Sequence, residues 1–175
     1  NNAGIGGTSR FEDASVEYLD KIILLNIRVT TVLTRLMLPE LLTQKKALIM
    51  NVASVAAFGP LPFKSIYPAS KAFIYSFSRS LSRELCGTGV SVMVVAPGSM
   101  MTNPDVSMRL INHGSIGQAG IMLPGEVARL SLDGAEKGKK VVVPGFMNRL
   151  NRFLIWISPT SLNLMIMERI VVKEL

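Results

Sequence analysis

Between Asp13 and about Leu42 the apolar residues Ile22, Leu25, Val29, Val32, Leu33 and Leu36 return at three- and four-residue steps. That period predicts one long helix with a single apolar face. Ser15 is its candidate N-cap, Glu12, Asp13 and Glu17 suit the positive end of its dipole, and Pro39 leaves open whether the helix runs unbroken. The pattern then shortens. Ala47 to Val52 is an apolar, β-tending run that predicts a buried parallel strand leading to Ser54. Ser65 to Leu85 predicts a helix, with Phe73, Phe77, Leu81 and Leu85 four apart and the small residues Ala69, Ala72, Ser76 and Ser80 alongside. Val90 to Ala96 predicts the next strand, Pro124 opens a further helix, and Lys140 to Pro144 predicts a last short strand. Beyond Gly145, Leu150, Phe153, Leu154 and Ile157 share one helical face, with Asn148, Arg149, Asn151 and Arg152 elsewhere. Ser158-Pro159 then reads as the N-cap and first turn of a second amphipathic helix, from Ser161 to about Val172. This pair of helices suits three tasks: covering a substrate mouth, joining a partner subunit, or lying on a membrane surface.

Three stretches lack a period. Asn1 to Arg10 reads as a loop, and Phe58-Gly-Pro-Leu-Pro-Phe63 is a turn-rich loop suited to one wall of a pocket. Asn103 to Leu123 is a long loop, the kind that is functional or mobile. Met100, Met101, Met108, Met122, Leu110 and Ile111 suit an apolar, adaptable pocket and suit core filling equally well.

The chemistry concentrates at two short runs, Asn51-Val-Ala-Ser54 and Tyr67-Pro-Ala-Ser-Lys71. On a helix, Tyr67 and Lys71 sit one turn apart on the same face. An ammonium within ~4–6 Å of a phenol lowers the phenol's pKa by ~1–3 units, which raises the ionised fraction at neutral pH from about 0.1% to about 10% for a two-unit drop. Such a tyrosine trades a proton with an alcohol or carbonyl oxygen, and Ser54 is placed to hold that oxygen. Tyr-x-x-x-Lys spacing alone equally fits a half-buried tyrosine beside a solvated lysine.

Asn1-Asn-Ala-Gly4, Asn26, Asn51-Val-Ala-Ser54, Tyr67-Pro-Ala-Ser-Lys71 and Pro97-Gly98 with Thr102 fall in an order and spacing that resemble the short-chain dehydrogenase/reductase family, over roughly the first hundred residues. The resemblance implies an α/β fold with a Rossmann-like, doubly wound parallel sheet, of which this chain is the C-terminal part. It implies one domain over 1–147 and an amphipathic helical extension over 148–175. It implies NAD or NADP as cofactor, and interconversion of a secondary alcohol and a ketone. Tyr67 would be the general acid or base, Lys71 its partner and a ribose ligand, and Ser54 the group orienting the substrate oxygen. Asn26 would hold a water that feeds a proton relay through the lysine, although a buried, satisfied asparagine reads the same way. Asn2, Ala3, Gly4, Tyr67, Lys71, Pro97, Gly98, Met100 and Thr102 would meet the cofactor, and residues 103–123 would form a substrate lid. Lys45-Lys46-Ala47 and Met93 depart from the family pattern, at a turn and at a packing position.

Composition narrows the picture. The chain has 175 residues, 49% of them apolar, enough for a single sizeable core. Its net charge of +7 is scattered apart from Lys137-Gly-Lys-Lys140, with no aromatic-interleaved basic stripe, so no nucleic-acid partner is expected. A basic surface suits an anionic cofactor or substrate. The single Cys86 forms no intrachain disulfide and suits a reducing cytoplasm. No run of ~18 apolar residues marks a membrane span. His113 has no metal-spaced or triad partner and reads as a loop residue, and no metal is expected.

Asn-Asn-Ala-Gly at the start stands where the family has already made its glycine-rich phosphate loop, and Gly4-Ile-Gly-Gly7 lacks that loop's spacing. The expectation is a chain cut from a longer protein, active only at full length, with an exposed apolar edge if the earlier strands are absent. The resemblance also implies a homodimer or homotetramer through the helix at 65–85 and the one before it, and a lipophilic carbonyl substrate such as a 3-oxoacyl thioester or steroid. Two rivals remain: a catalytically inactive subunit or interaction module, and a sugar-nucleotide epimerase, against which Asn-Asn-Ala-Gly and the short tail argue.

Overall fold

The computed structural model describes residues 1–102 and 120–174. After an N-terminal loop, α1 (Val16–Ile22), a π-helical segment (Ile23–Val29) and α2 (Thr30–Thr43) form one continuous rod. Strand β1 (Ala47–Val52) follows, then α3 (Ile66–Glu84), β2 (Val90–Val95), α4 (Pro124–Glu136) and β3 (Val141–Val142). Helices α5 (Phe146–Ile157) and α6 (Thr160–Val171) close the chain with a 3-10 turn at Val172–Glu174. The strands make one parallel sheet in the order β1-β2-β3, with Ala47 opposite Val90 and Val52 opposite Val95.

Both faces of β2 are buried, as a near-continuous apolar strand requires. Val90 and Val92 pack with Ile49 and Leu81 of α3, and Val94 packs with Ala53 and Ile74. Met93 and Val95 turn the other way, toward Val142 and Ala135 of α4. The helices therefore cover both sides of the sheet, as a doubly wound fold does.

The long helix runs unbroken. Pro39 lies inside α2 on its exposed side, where the carbonyl its missing N–H leaves free is open to solvent. The buried row is Ile22, Asn26, Thr30 and Thr34, four apart, whereas Val29, Val32, Leu33 and Leu36 are exposed. The polar row docks because it is hydrogen-bonded: Thr34 Oγ1 donates to the Thr30 carbonyl at 2.7 Å and accepts from Asn1 Nδ2 at 3.1 Å. By length and composition this 28-residue rod could cross a membrane, although its apolar residues form no unbroken run. Its polar row, packed against the body, is that of a helix at home in a folded domain.

The N-terminal residue lies along β1. Asn1 donates its terminal nitrogen to the Met50 carbonyl at 2.8 Å, and its own carbonyl accepts from Val52 N at 2.9 Å, the parallel-ladder pattern around Asn51. Asn51 is fully buried; its Oδ1 accepts from Asn1 Nδ2 at 2.7 Å and its Nδ2 donates to Ser78 Oγ at 2.9 Å.

The C-terminal helices dock through a polar contact. In α5 the apolar Phe153, Leu154 and Ile157 are exposed and Asn148 is buried. Its Nδ2 donates to the carbonyls of Pro144 at 2.9 Å and Gly120 at 3.0 Å, so the amide is the docking point. Ser158 ends α5, and Pro159 occupies the cap position of α6.

Because Asn51 joins the N-terminal residue, β1 and α3, Asn51→Ala removes two side-chain hydrogen bonds, to Asn1 and to the buried Ser78. Urea unfolding should show a loss of ~1–3 kcal/mol, and an unchanged midpoint would remove this network from the fold's supports.

Candidate active site

Ser54 follows the end of β1. The backbone there continues the sheet, Ala53 N donating to the Val95 carbonyl at 2.7 Å and Val55 N to the Pro97 carbonyl at 2.8 Å. Ser54 caps a 3-10 turn (Val55–Phe58), its hydroxyl accepting from Ala56 N at 3.1 Å. Tyr67 is in the first turn of α3 and Lys71 one turn further, so both face the carboxy end of β1. This is where open α/β sheets gather their ligand sites.

Lys71 is 6% exposed, and its Nζ donates to the Val52 carbonyl at 3.0 Å. The same nitrogen lies 5.8 Å from the centre of the Tyr67 ring. Burial pushes the Tyr67 phenol above its ordinary value, and the neighbouring Ser54 side chain opposes this only in part. Burial also pulls the Lys71 ammonium below its ordinary value. The expected acidification of Tyr67 by the amine is therefore corrected. Loss of water around the phenol sets the direction, because desolvation penalises the charged form of either group.

Asn26 lies on the π segment, a distortion frequent at functional sites. Its Oδ1 accepts from Ile5 N at 2.9 Å, and its Nδ2 donates to the Ile5 carbonyl at 2.9 Å and to Ser70 Oγ at 3.0 Å. Ser70 in turn donates to the Tyr67 carbonyl at 2.7 Å. The asparagine thus clamps the N-terminal loop to the helix that carries Tyr67. Gly4 sits against this clamp: a Cβ there would lie 3.2 Å from Lys71 Nζ and 3.1 Å from Asn26 Oδ1. A Cβ on Gly6 would lie 2.5 Å from Tyr67 Cδ2.

The remaining candidates sit around this cluster. Pro97 is buried and Gly98 packs on Asn148. Met100 forms a parallel bridge with Met122, whose N donates to the Ser99 carbonyl at 3.1 Å. Asn2, Ala3 and Thr102 are exposed. Met108, Leu110, Ile111 and His113 lie outside the described residues. A cavity of about 20 Å³ beside Tyr67 is lined by Gly7, Tyr18 and Phe63 among others. Phe63 has φ 62°, a left-handed conformation costly for an aromatic residue, in the loop expected to form a wall.

Sequence reasoning passed over Ser70, Asn148 and Glu174. Ser70 was legible as the serine of Tyr-Pro-Ala-Ser-Lys. Asn148 and Glu174 carried no signal, since their partners are distant in sequence. Glu174 accepts from Lys64 Nζ at 2.8 Å and from Thr8 Oγ1 at 2.6 Å, tying the chain's last turn to both loops beside Tyr67.

The Lys71 ammonium has three protons and one acceptor among the described residues. A nearly buried donor with protons to spare, beside the exposed strip Ala3-Gly4, fits a hydroxyl-rich ligand such as a ribose.

In a 295 nm titration without ligands, the difference between the protein and Tyr67→Phe should appear only above pH 10; a component below it would contradict the burial argument. Gly6→Ala should displace the Tyr67 ring and lower turnover by ~10-fold or more with little change in melting temperature. Unchanged kinetics would show that the loop yields freely.

The short chain dehydrogenase family model matches residues 1–110. A ketoacyl reductase of a Nostoc species, HetN, is 33% identical over 171 residues, covering 93% of this chain and 58% of the relative. A 7beta-hydroxysteroid dehydrogenase structure aligns with TM-score 0.80 at 23% identity, over 94% of this chain and 64% of the other. A Burkholderia cenocepacia short chain dehydrogenase in complex with NADP aligns with TM-score 0.76 at 24% identity, over 93% and 67%. These two likenesses establish the fold, a Rossmann-like sheet of which the three strands form a part. The chain spans about half the length of the curated relatives it matches, 44% and 58% in two cases. With its site motifs gathered at the end of β1, the chain belongs to the short chain dehydrogenase family.

Proposed function

We propose that the protein is an NAD(P)-dependent oxidoreductase that interconverts a ketone and a secondary alcohol on a lipophilic substrate. One observation carries this reading: Tyr67, with Ser54 beside it, sits one helical turn from a buried lysine whose protons are only partly used among the described residues. The activities of relatives agree with it, as do the ketoacyl reductase named above and a mouse 17-beta-hydroxysteroid dehydrogenase type 3, 42% identical over 77 residues.

In the reductive direction the Ser54 hydroxyl orients the carbonyl oxygen and the Tyr67 phenol gives it a proton. Burial raises the phenol further above neutral pH, which favours its proton-donating form. Lys71, with Ala3, Gly4 and the turn from Pro97 to Thr102, would hold a nicotinamide dinucleotide, which supplies the hydride. Asn26 acts as a positioning residue, holding the N-terminal loop against α3; the water relay that the family resemblance implies would start from its remaining oxygen lone pair or its main chain. Met100, Met101 and Met122 would offer the substrate an adaptable apolar wall. Self-association is part of the proposal: Leu33 and Leu36 of α2 and Phe73 of α3 present exposed apolar surface.

The test is ketone-dependent oxidation of NADH and NADPH by the full-length protein. Tyr67→Phe should reduce kcat by ~10²–10⁴ while dinucleotide binding, read by fluorescence, persists. Turnover retained in that variant would end the assignment.

A further inference from the structure

A second cavity lies apart from the proton-transfer residues. About 740 Å³ in volume, it opens between the end of α4, β3 and α5, and neither Ser54, Tyr67 nor Lys71 lines it. That size falls within the ~300–1,000 Å³ of small-molecule sites. One wall is aromatic, built from Phe58, Tyr75, Phe153 and Trp156. Phe153 and Trp156 stand with ring centres 6.2 Å apart and are 53% and 80% exposed, a ledge of apolar surface left in water.

The same cavity is lined by Lys137, Lys139, Arg149 and Arg152. Its one carboxylate, Asp133, is engaged by Arg129 at 3.2 Å. None of the four cations has an acidic partner among the described residues. Arg152 is already held in place, its guanidinium 4.7 Å from the Phe58 ring centre and 3.5 Å from the Tyr75 hydroxyl. A planar cation fixed against an aromatic face loses little freedom on meeting an anion. Unneutralised charge on one side and bare rings on the other are complementary to a molecule with both features.

We propose that this cleft binds an amphipathic anion, with an aliphatic or aryl body against Phe153 and Trp156 and a phosphate or carboxylate head among Lys137, Lys139 and Arg149. The site does not depend on the proposed reaction.

Trp156 is the only tryptophan, so its emission reports directly on the cleft. Dodecyl phosphate, added below its micellar concentration, should shift that emission to the blue along a saturable curve. Dodecanoate in a parallel arm separates phosphate from carboxylate heads, and a shift with either supports the site. Dodecanol should need at least about tenfold more, and Lys139→Gln with Arg149→Gln should raise the half-saturation for the anion by about tenfold. Both residues are exposed; if the double variant fails to fold, Lys139→Gln alone should raise it about threefold. Tyr67→Phe should leave the curve unchanged, which separates this site from the reaction centre. No shift, equal binding of dodecanol, or indifference to the lysine and arginine changes would overturn the proposal. A shift with phosphatidylglycerol vesicles but with neither soluble anion would overturn it too, in favour of a membrane surface.

Discussion

A lysine ammonium buried against the end of a parallel strand is the constraint from which the rest of the site follows. Among the described residues Lys71 has the Val52 carbonyl as its one acceptor, at 3.0 Å. Burying a cation is unfavourable unless its donors find partners, so the chain must hold Lys71 there through contacts elsewhere. It does so through α3. Ile74 packs beside Ala53 and Val94, Leu81 packs beside Ile49 and Val92, and Ser78 is tied to Asn51 within β1. With the helix so fixed, Tyr67 one turn earlier has no choice but to face Ser54, and Gly4 must lack a side chain to leave the ammonium accessible.

The same burial acts on both ionisable groups, in opposite senses. Between the lowered value of Lys71 and its ordinary 10.5, the unfolded chain binds more protons than the folded one, so this group makes stability rise with pH across that window. The raised value of Tyr67 does the reverse: its contribution is complete below 10 and is lost as pH climbs through the folded value. Burial thus favours the uncharged form of both groups, and for Tyr67 that is the form that gives a proton.

Much of this was legible before any coordinates. The change of period from helix to strand at Ala47 and again at Val90 marked β1 and β2, and Ser15 caps α1 as expected, accepting from Tyr18 N at 3.2 Å. Ser54, Tyr67 and Lys71 could be assembled because two of them share a helix and the third ends a strand. The electrostatic sign could not. Spacing gives the separation of an amine and a phenol along a helix, whereas the pKa depends on how much water each has lost, a property of every neighbouring element at once. Asn148 and Glu174 were invisible for a related reason: their partners, Gly120 and Lys64 with Thr8, lie far away in sequence.

For two helices the apolar period does not tell which face docks. A three- and four-residue recurrence identifies a helix but not which side meets the body. In the rod over 16–43 and again in α5, the side that docks is the one whose polar atoms find partners: Asn26 with Ile5 and Ser70, Thr34 with Asn1, Asn148 with Pro144 and Gly120. A buried polar group so matched fixes one register, since sliding the helix by a residue strands several donors and acceptors together. Apolar contacts tolerate such a slip far better. The apolar rows are thereby left outward, at Leu33 and Leu36 on one helix and at Phe153 and Trp156 on the other. Leaving that much apolar surface in water is unfavourable, which is why such rows are better read as contact surfaces than as misplaced core.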